Sequence, residues 1–184
     1  MIRWVEYIRQ IPDYPVQGVN FYDLNSLFAG PMFHKAVDEL AAKTRYYDNP
    51  THIVGIESRG FVLGSAIAYK LGLPFVMVRK KGAKYPGELL EQSYDLEYGS
   101  ATLTLQTGLL GHTDRVIIVD DLFATLGSAN ATKALVEQTN ARVLGALAIV
   151  DLAHLRTHKD KIMPHSALET VWSSPNGIDR DHSV

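Results

Sequence analysis

Residues 52–78 read HIVGIESRGFVLGSAIAYKLGLPFVMV. The stretch opens on a short apolar run, 52–56, and closes on another, 74–78. Between them residues 60–71, GFVLGSAIAYKL, suit a helix, and Gly72 is a natural stop because helices commonly end on a left-handed residue. Strand, helix, strand with almost unbroken apolar strands is the pattern of a parallel sheet covered on both faces. The alternation continues downstream: RVIIV (115–119) is a third apolar run, 128–139 a helix, and VLGALAIV (143–150) a fourth run. The sequence thus predicts an α/β fold, a parallel-sheet core with flanking helices.

Outside this core the signals are local. Residues 2–10 read as a short helix ended by Pro12, and 11–28 as irregular structure with a short strand. After Pro31, residues Phe33, Val37, Leu40 and Ala41 recur at helical spacing. Residues 101–106 alternate, Leu103 and Leu105 facing one way, as in a half-exposed strand. Residues 82–99 hold glycines, Pro86 and few core-forming side chains, which suits a mobile lid. The end, 166–184, turns polar after Trp172 and is expected to fray. No repeat or linker divides the 184 residues, so one domain over 1–184 is expected.

Composition removes several function classes. Eighteen basic against 20 acidic residues leave a net charge of -2, which speaks against a general nucleic-acid or membrane binder. An anionic ligand would need local clusters. With no cysteine there is no disulfide scaffold, Cys-based zinc site or thiol nucleophile. No secretory signal or spanning apolar run is read, so a soluble cytoplasmic protein is expected.

In parallel sheets of this kind ligands bind where strands end. The run 116–130, VIIVDDLFATLGSAN, ends its strand in Asp120 and Asp121 and then turns through Ala124, Thr125, Leu126, Gly127 and Ser128 into a helix. Small residues let backbone N–H groups approach an anion, and the helix N-terminus and two hydroxyls add to the attraction. Two carboxylates beside such a cradle suit the hydroxyls of a ribose. Read alone, the segment equally suits a plain strand–turn–helix junction with Ser128 as N-cap and a solvated acid pair.

The residues around that segment carry a resemblance. VIIVDDLFATLGSA resembles the phosphoribosyl pyrophosphate (PRPP) motif of type I phosphoribosyltransferases, with Leu126 where the adenine enzymes usually have glycine and Ser128 where they have threonine. Four further stretches are similar, in order, to the adenine phosphoribosyltransferase family: IPDYPVQGVNFYDL, GIESRGF, RKKGAKYPG and SYDLEYG with the strand ending in Asp151-Leu152. Tyr85 replaces a leucine and one residue near Ala83 is extra.

That resemblance implies a fold with a small hood from residues 1–30 over the sheet, transfer of phosphoribosyl from PRPP to adenine, and a homodimer. It implies that Ser58, Arg59, Arg79, Lys80 and Lys84 bind pyrophosphate, with a strained or cis peptide in the loop before Arg59. Asp120, Asp121 and residues 124–128 would hold the ribose 5-phosphate. Phe21 and Leu152 would cover the two faces of the base, and main-chain groups of Asn20 and Tyr22 would read its edge. Glu97 is implied as the acid/base at the imidazole ring, with Tyr98 closing over the site. Mg²⁺ would arrive on PRPP, with no direct protein ligand, and with Arg59 and Lys84 would stabilise the leaving group.

Three other readings stand beside this one: a non-catalytic PRPP sensor on the same fold, a transferase for another base such as hypoxanthine or guanine, and a metal clamp from His154 and His158, four residues apart.

Overall fold

The computed structural model describes residues 2–96, 99–156 and 168–174. The four expected core strands form as β3 (His52–Ile56), β4 (Phe75–Lys80), β7 (Arg115–Val119) and β9 (Arg142–Asp151). They lie parallel in the order β4-β3-β7-β9. Beyond β9 the sheet gains a parallel strand, β10 (Leu168–Ser173); beyond β4 it gains the antiparallel pair β6 (Ser100–Gln106) and β5 (Leu89–Asp95). Two-residue β8 (Leu122–Phe123) runs beside the end of β9.

Side-chain alternation sorts the strands between two cores. Ile53, Ile117 and Leu147 face one side, where helix α2 (Phe33–Lys43) brings Val37 and Leu40 and helix α3 (Arg59–Leu71) brings Leu63 and Ile67. Val54, Ile118 and Ala146 face the other, under Leu135 and Val136 of helix α4 (Gly127–Gln138). Each fully buried Leu or Ile contributes roughly 1.5–3 kcal/mol relative to exposure, so both faces must be covered. Helix α3 sits close to β3 across two glycines: a Cβ on Gly55 or Gly64 would meet the Phe75 ring at 2.7 or 2.8 Å.

Three expectations need correction. Residues 2–10 are not a helix. They form a 3-10 turn, Trp4–Tyr7, and then strand β1 (Arg9–Ile11), paired antiparallel with β2 (Phe21–Asp23). Buried Trp4 and Ile8 stand four apart, a helical interval, but the segment is rich in β-branched and aromatic residues and finds a strand partner. A four-residue helix α1 (Asn25–Phe28) follows β2. Residues 89–95 of the expected lid are the regular strand β5, with Leu90 and Tyr94 packed on the core beneath α4. Residues 168–173, expected to fray, form β10 along β9, and Trp172 of that strand lies 5.6 Å from the ring of Tyr22. Among the described residues no helix is long and apolar enough to cross a membrane.

Candidate active site

The carboxyl ends of β3 and β7, the start of α3 and the loop before α4 surround one cavity of about 310 Å³. Helix α3 brings Arg59 there through a close approach. A Cβ on Gly60 would stand 2.7 Å from the Val119 carbonyl oxygen and 3.1 Å from Oδ1 of Asp120, so only glycine lets α3 begin this near the end of β7. From that position Arg59 Nε reaches Asp121 Oδ2 at 2.8 Å. Its guanidinium also lies over the ring of Phe21, 5.8 Å from the centroid. The peptide bond between Glu57 and Ser58, just before the helix, is cis.

Asp120 and Asp121 are adjacent and share a wall of the cavity. Burial and the charge of its neighbour push the Asp120 carboxyl well above the usual aspartate range. Burial also raises Asp121, opposed by the Arg59 guanidinium. Such a pair favours ligands that donate hydrogen bonds or carry positive charge.

The loop that follows has Leu126 in the left-handed region, φ 69° and ψ 11°, as the residue capping α4. A non-glycine residue there costs on the order of 1–2 kcal/mol. The leucine side chain is 4% exposed and belongs to the core beneath α4, which offsets that cost. The substitution of leucine for glycine is therefore accommodated by packing. Gly127 is constrained differently, since a Cβ would meet the Tyr94 ring at 2.9 Å. The first-turn amides of α4 follow at once, with the positive end of the helix dipole. Ser128 Oγ donates a long hydrogen bond, 3.4 Å, to Asp120 Oδ2.

The structure brings Ser58, Arg59, Lys80, Asp120, Asp121 and all of 124–128 to the cavity wall. Arg79 and Lys84 do not line it. Arg79 pairs with Glu57 at 3.5 Å and lies 5.1 Å from the centroid of the Tyr85 ring, while Lys84 is exposed on the loop after β4. Phe21 meets the site through Arg59, with Tyr14 edge-on at 5.2 Å. Tyr22 and Leu152 are buried, and Asn20 donates to Gln10 at 2.9 Å. Glu97, Tyr98 and His158 lie outside the described residues. Among the described residues no group of three or more His, Asp or Glu is arranged to hold a metal ion.

Sequence reading missed three residues. Glu57 accepts the Lys80 N–H at 2.8 Å and so fixes the end of β4. Tyr94 covers Gly127 and lines the cavity; burial and the charge of Asp120 raise its phenol above the ordinary value. The alternation of Leu90, Gln92 and Tyr94 was the available signal for it. Arg156, in a polar stretch after β9, gave no such signal.

The model of the phosphoribosyl transferase domain matches residues 23–176. An adenine phosphoribosyltransferase from Carboxydothermus hydrogenoformans is 46% identical over 154 residues, covering 84% of this chain and 90% of the relative. One from Synechococcus sp. is 47% identical, covering 83% and 87%. Among solved structures, that of the adenine phosphoribosyltransferase from Thermoanaerobacter pseudethanolicus superposes with a TM-score of 0.84 at 33% identity, covering 92% of this chain and 97% of that one. The Saccharomyces cerevisiae enzyme, solved with adenine and an imino-altritol bisphosphate, gives 0.81 at 36%, covering 91% and 96%. Five ordered motifs, the shared fold and relatives matched along nearly their whole length lead to one conclusion: this chain belongs to the adenine phosphoribosyltransferase family.

Proposed function

We propose that the chain transfers the 5-phosphoribosyl group of PRPP to adenine, giving AMP and pyrophosphate in purine salvage. The observation that carries this reading is a single cavity in which an acid pair, Asp120 and Asp121, stands beside an amide-rich helix start and the Arg59 cation. Support also comes from the yeast relative, whose structure holds adenine and a sugar-like bisphosphate together.

The bond from the anomeric carbon to the pyrophosphate oxygen breaks, a new bond forms to an imidazole nitrogen of adenine, and that nitrogen's proton leaves. Asp120 and Asp121 accept hydrogen bonds from the ribose hydroxyls, and their charge favours a cationic ribosyl ring. Residues 124–128 hold the 5-phosphate through amides and hydroxyls. Ser58, Arg59 and Lys80 hold pyrophosphate, and Arg79 and Lys84 join them when the loop after β4 closes. Phe21 and Leu152 cover the base, the main chain of Asn20 and Tyr22 reads its edge, Glu97 manages the proton and Tyr98 closes the site. Exclusion of water protects the activated ribosyl group.

Mg²⁺ fits as a passenger on PRPP rather than as a protein-held ion: the wall carboxylates are already engaged, Asp121 by Arg59 and Asp120 by Ser128, so its shell would be completed by substrate phosphates and water. It would neutralise the leaving group. The reading includes a homodimer working in the cytoplasm; light scattering of the purified protein tests the dimer.

The deciding experiment measures pyrophosphate release with Mg²⁺, PRPP and each purine base in turn. Release with adenine alone is expected. Release only with another base moves the specificity but keeps the mechanism, and no release from folded protein overturns the reading.

A further inference from the structure

Arg156 follows the short 3-10 turn Ala153–Leu155, just beyond the end of β9. Its side chain is 9% exposed, and two of its three guanidinium nitrogens are engaged. One terminal nitrogen pairs with Oδ1 of Asp151, itself 5% exposed, and Nε donates to the carbonyl oxygen of Ala124 at 3.0 Å. A surface arginine gains little from such ordering, whereas a buried one with a matched carboxylate is held in place. The pair therefore fastens the first residue of the phosphate loop to the end of β9. The neighbouring main chain is fastened too, by the Leu152 N–H to the Phe123 carbonyl at 2.8 Å.

A planar trans peptide points its C=O and N–H in opposite directions. The only cis bonds among the described residues are Tyr14–Pro15 and Glu57–Ser58, so the Ala124–Thr125 unit is trans. With the Ala124 carbonyl turned toward Arg156, the Thr125 N–H is turned the other way. Ala124 and Thr125 both line the cavity, and among the described residues no acceptor meets the Thr125 N–H.

We propose that Arg156 is a positioning residue for the phosphate loop: by holding the Ala124 carbonyl, it aims the Thr125 N–H at the 5-phosphate. The inference rests on the reading of residues 124–128 as the phosphate cradle. It assigns a role to a residue that touches no substrate, and it explains why a polar segment after the last central strand needs a buried arginine. A backbone donor fixed in advance costs no reorganisation when the anion arrives.

Removing Arg156 alone strands a buried Asp151, which threatens the fold. The test therefore uses the neutral double variant D151N/R156M, with D151N alone as control, and ribose 5-phosphate as the probe. Calorimetry is expected to show Kd raised roughly tenfold to a hundredfold in the double variant, the worth of one hydrogen bond to a charged group. D151N leaves the Arg156 cation without its carboxylate, so its fold is checked by melting first; folded, it should bind within about threefold of wild type, because Arg156 still reaches Ala124. The Thr125 amide resonance should shift on binding in wild type and D151N and stay in place in the double variant. KM for PRPP should rise while KM for adenine holds.

Should the double variant fail to fold, R156K keeps the charge opposite Asp151 but lacks a second N–H arm, and carries the same comparison. Wild-type-like affinity and an unchanged Thr125 response in a folded variant overturn the proposal. The cradle reading fails separately: wild-type protein, or a Thr125→Ala and Ser128→Ala pair, would then show no loop-dependent binding at all, and the Arg156 proposal would fall with it.

Discussion

Replacing Gly60 with alanine probes how the site is assembled. The added methyl would stand 2.7 Å from the Val119 carbonyl oxygen, 0.7 Å short of the 3.4 Å at which ordinary contact begins, and 3.2 Å from the Asp120 Cα. Two of these neighbours are backbone at the end of a central strand and cannot swing aside. The start of α3 must retreat by a large fraction of that 0.7 Å, carrying Arg59 away from Asp121. Overpacking of this kind costs about 1–3 kcal/mol, or a fall in Tm of roughly 2–12 °C for a chain of this size. A misplacement approaching 1 Å at a catalytic constellation costs on the order of a hundredfold in rate. Steady-state kinetics with PRPP varied at saturating adenine, beside calorimetric melting, would measure both. Gly111→Ala is the control, because a Cβ there meets nothing within 4 Å. Full activity and an unchanged Tm in Gly60→Ala would refute the claim that this close approach sets the Arg59–Asp121 geometry.

Three other outcomes follow from the same structure. Asp120 has a raised folded-state pKa, so its contribution to stability is complete below the unfolded value near 3.8 and is lost as pH rises through the folded value. Asp120→Asn should therefore raise the Tm of the unliganded protein at pH 7 by about 2–4 °C, with the gain shrinking toward pH 4, while turnover drops about a hundredfold. An equal Tm change at every pH would contradict the assignment. Leu126→Gly relieves the left-handed leucine but empties a buried site, and should destabilise by about 2 kcal/mol in a denaturant titration. KM for PRPP should stay within about threefold, because the loop holds phosphate through its amides and hydroxyls; a larger rise would give the leucine side chain itself a role in shaping the loop. Thr132 is fully buried and its hydroxyl has no partner among the described residues, so Thr132→Val should match wild type or gain about 1 kcal/mol, read from urea midpoints.

The core was legible because its strands are buried on both faces and read as apolar runs, and because their carboxyl ends carry the conspicuous residues Arg59, Lys80, Asp120 and Asp121. The N-terminal turn was not, since a four-residue spacing of buried Trp4 and Ile8 imitates a helix when strand pairing with Phe21–Asp23 is unseen. Strand β5 was hidden by the glycines and proline ahead of it; Leu90 and Tyr94 find their core only once α4 is in place. β10 has an ordinary strand composition, but its partner is fixed by packing beside β9 rather than by anything local. Arg156 is the hardest case, because its two partners are set by tertiary contacts and one of them is a backbone carbonyl.

The position of Arg59 has a thermodynamic consequence for the two substrates. One cation is shared between the flat face of Phe21 and the carboxylate of Asp121. On the proposed assignment of Phe21 to the base and of the acid pair to the ribose, a base laid on that face would need the space the guanidinium now holds, and a ribose would compete for the same carboxylate. Whichever ligand arrived first would bear the work of turning the side chain out, and the second would meet a site already vacated. The two affinities would then be linked, each ligand strengthening the other by the same factor, as reciprocity between sites requires. On that assignment a single side chain would make the empty protein a poorer host for either substrate alone than for both together.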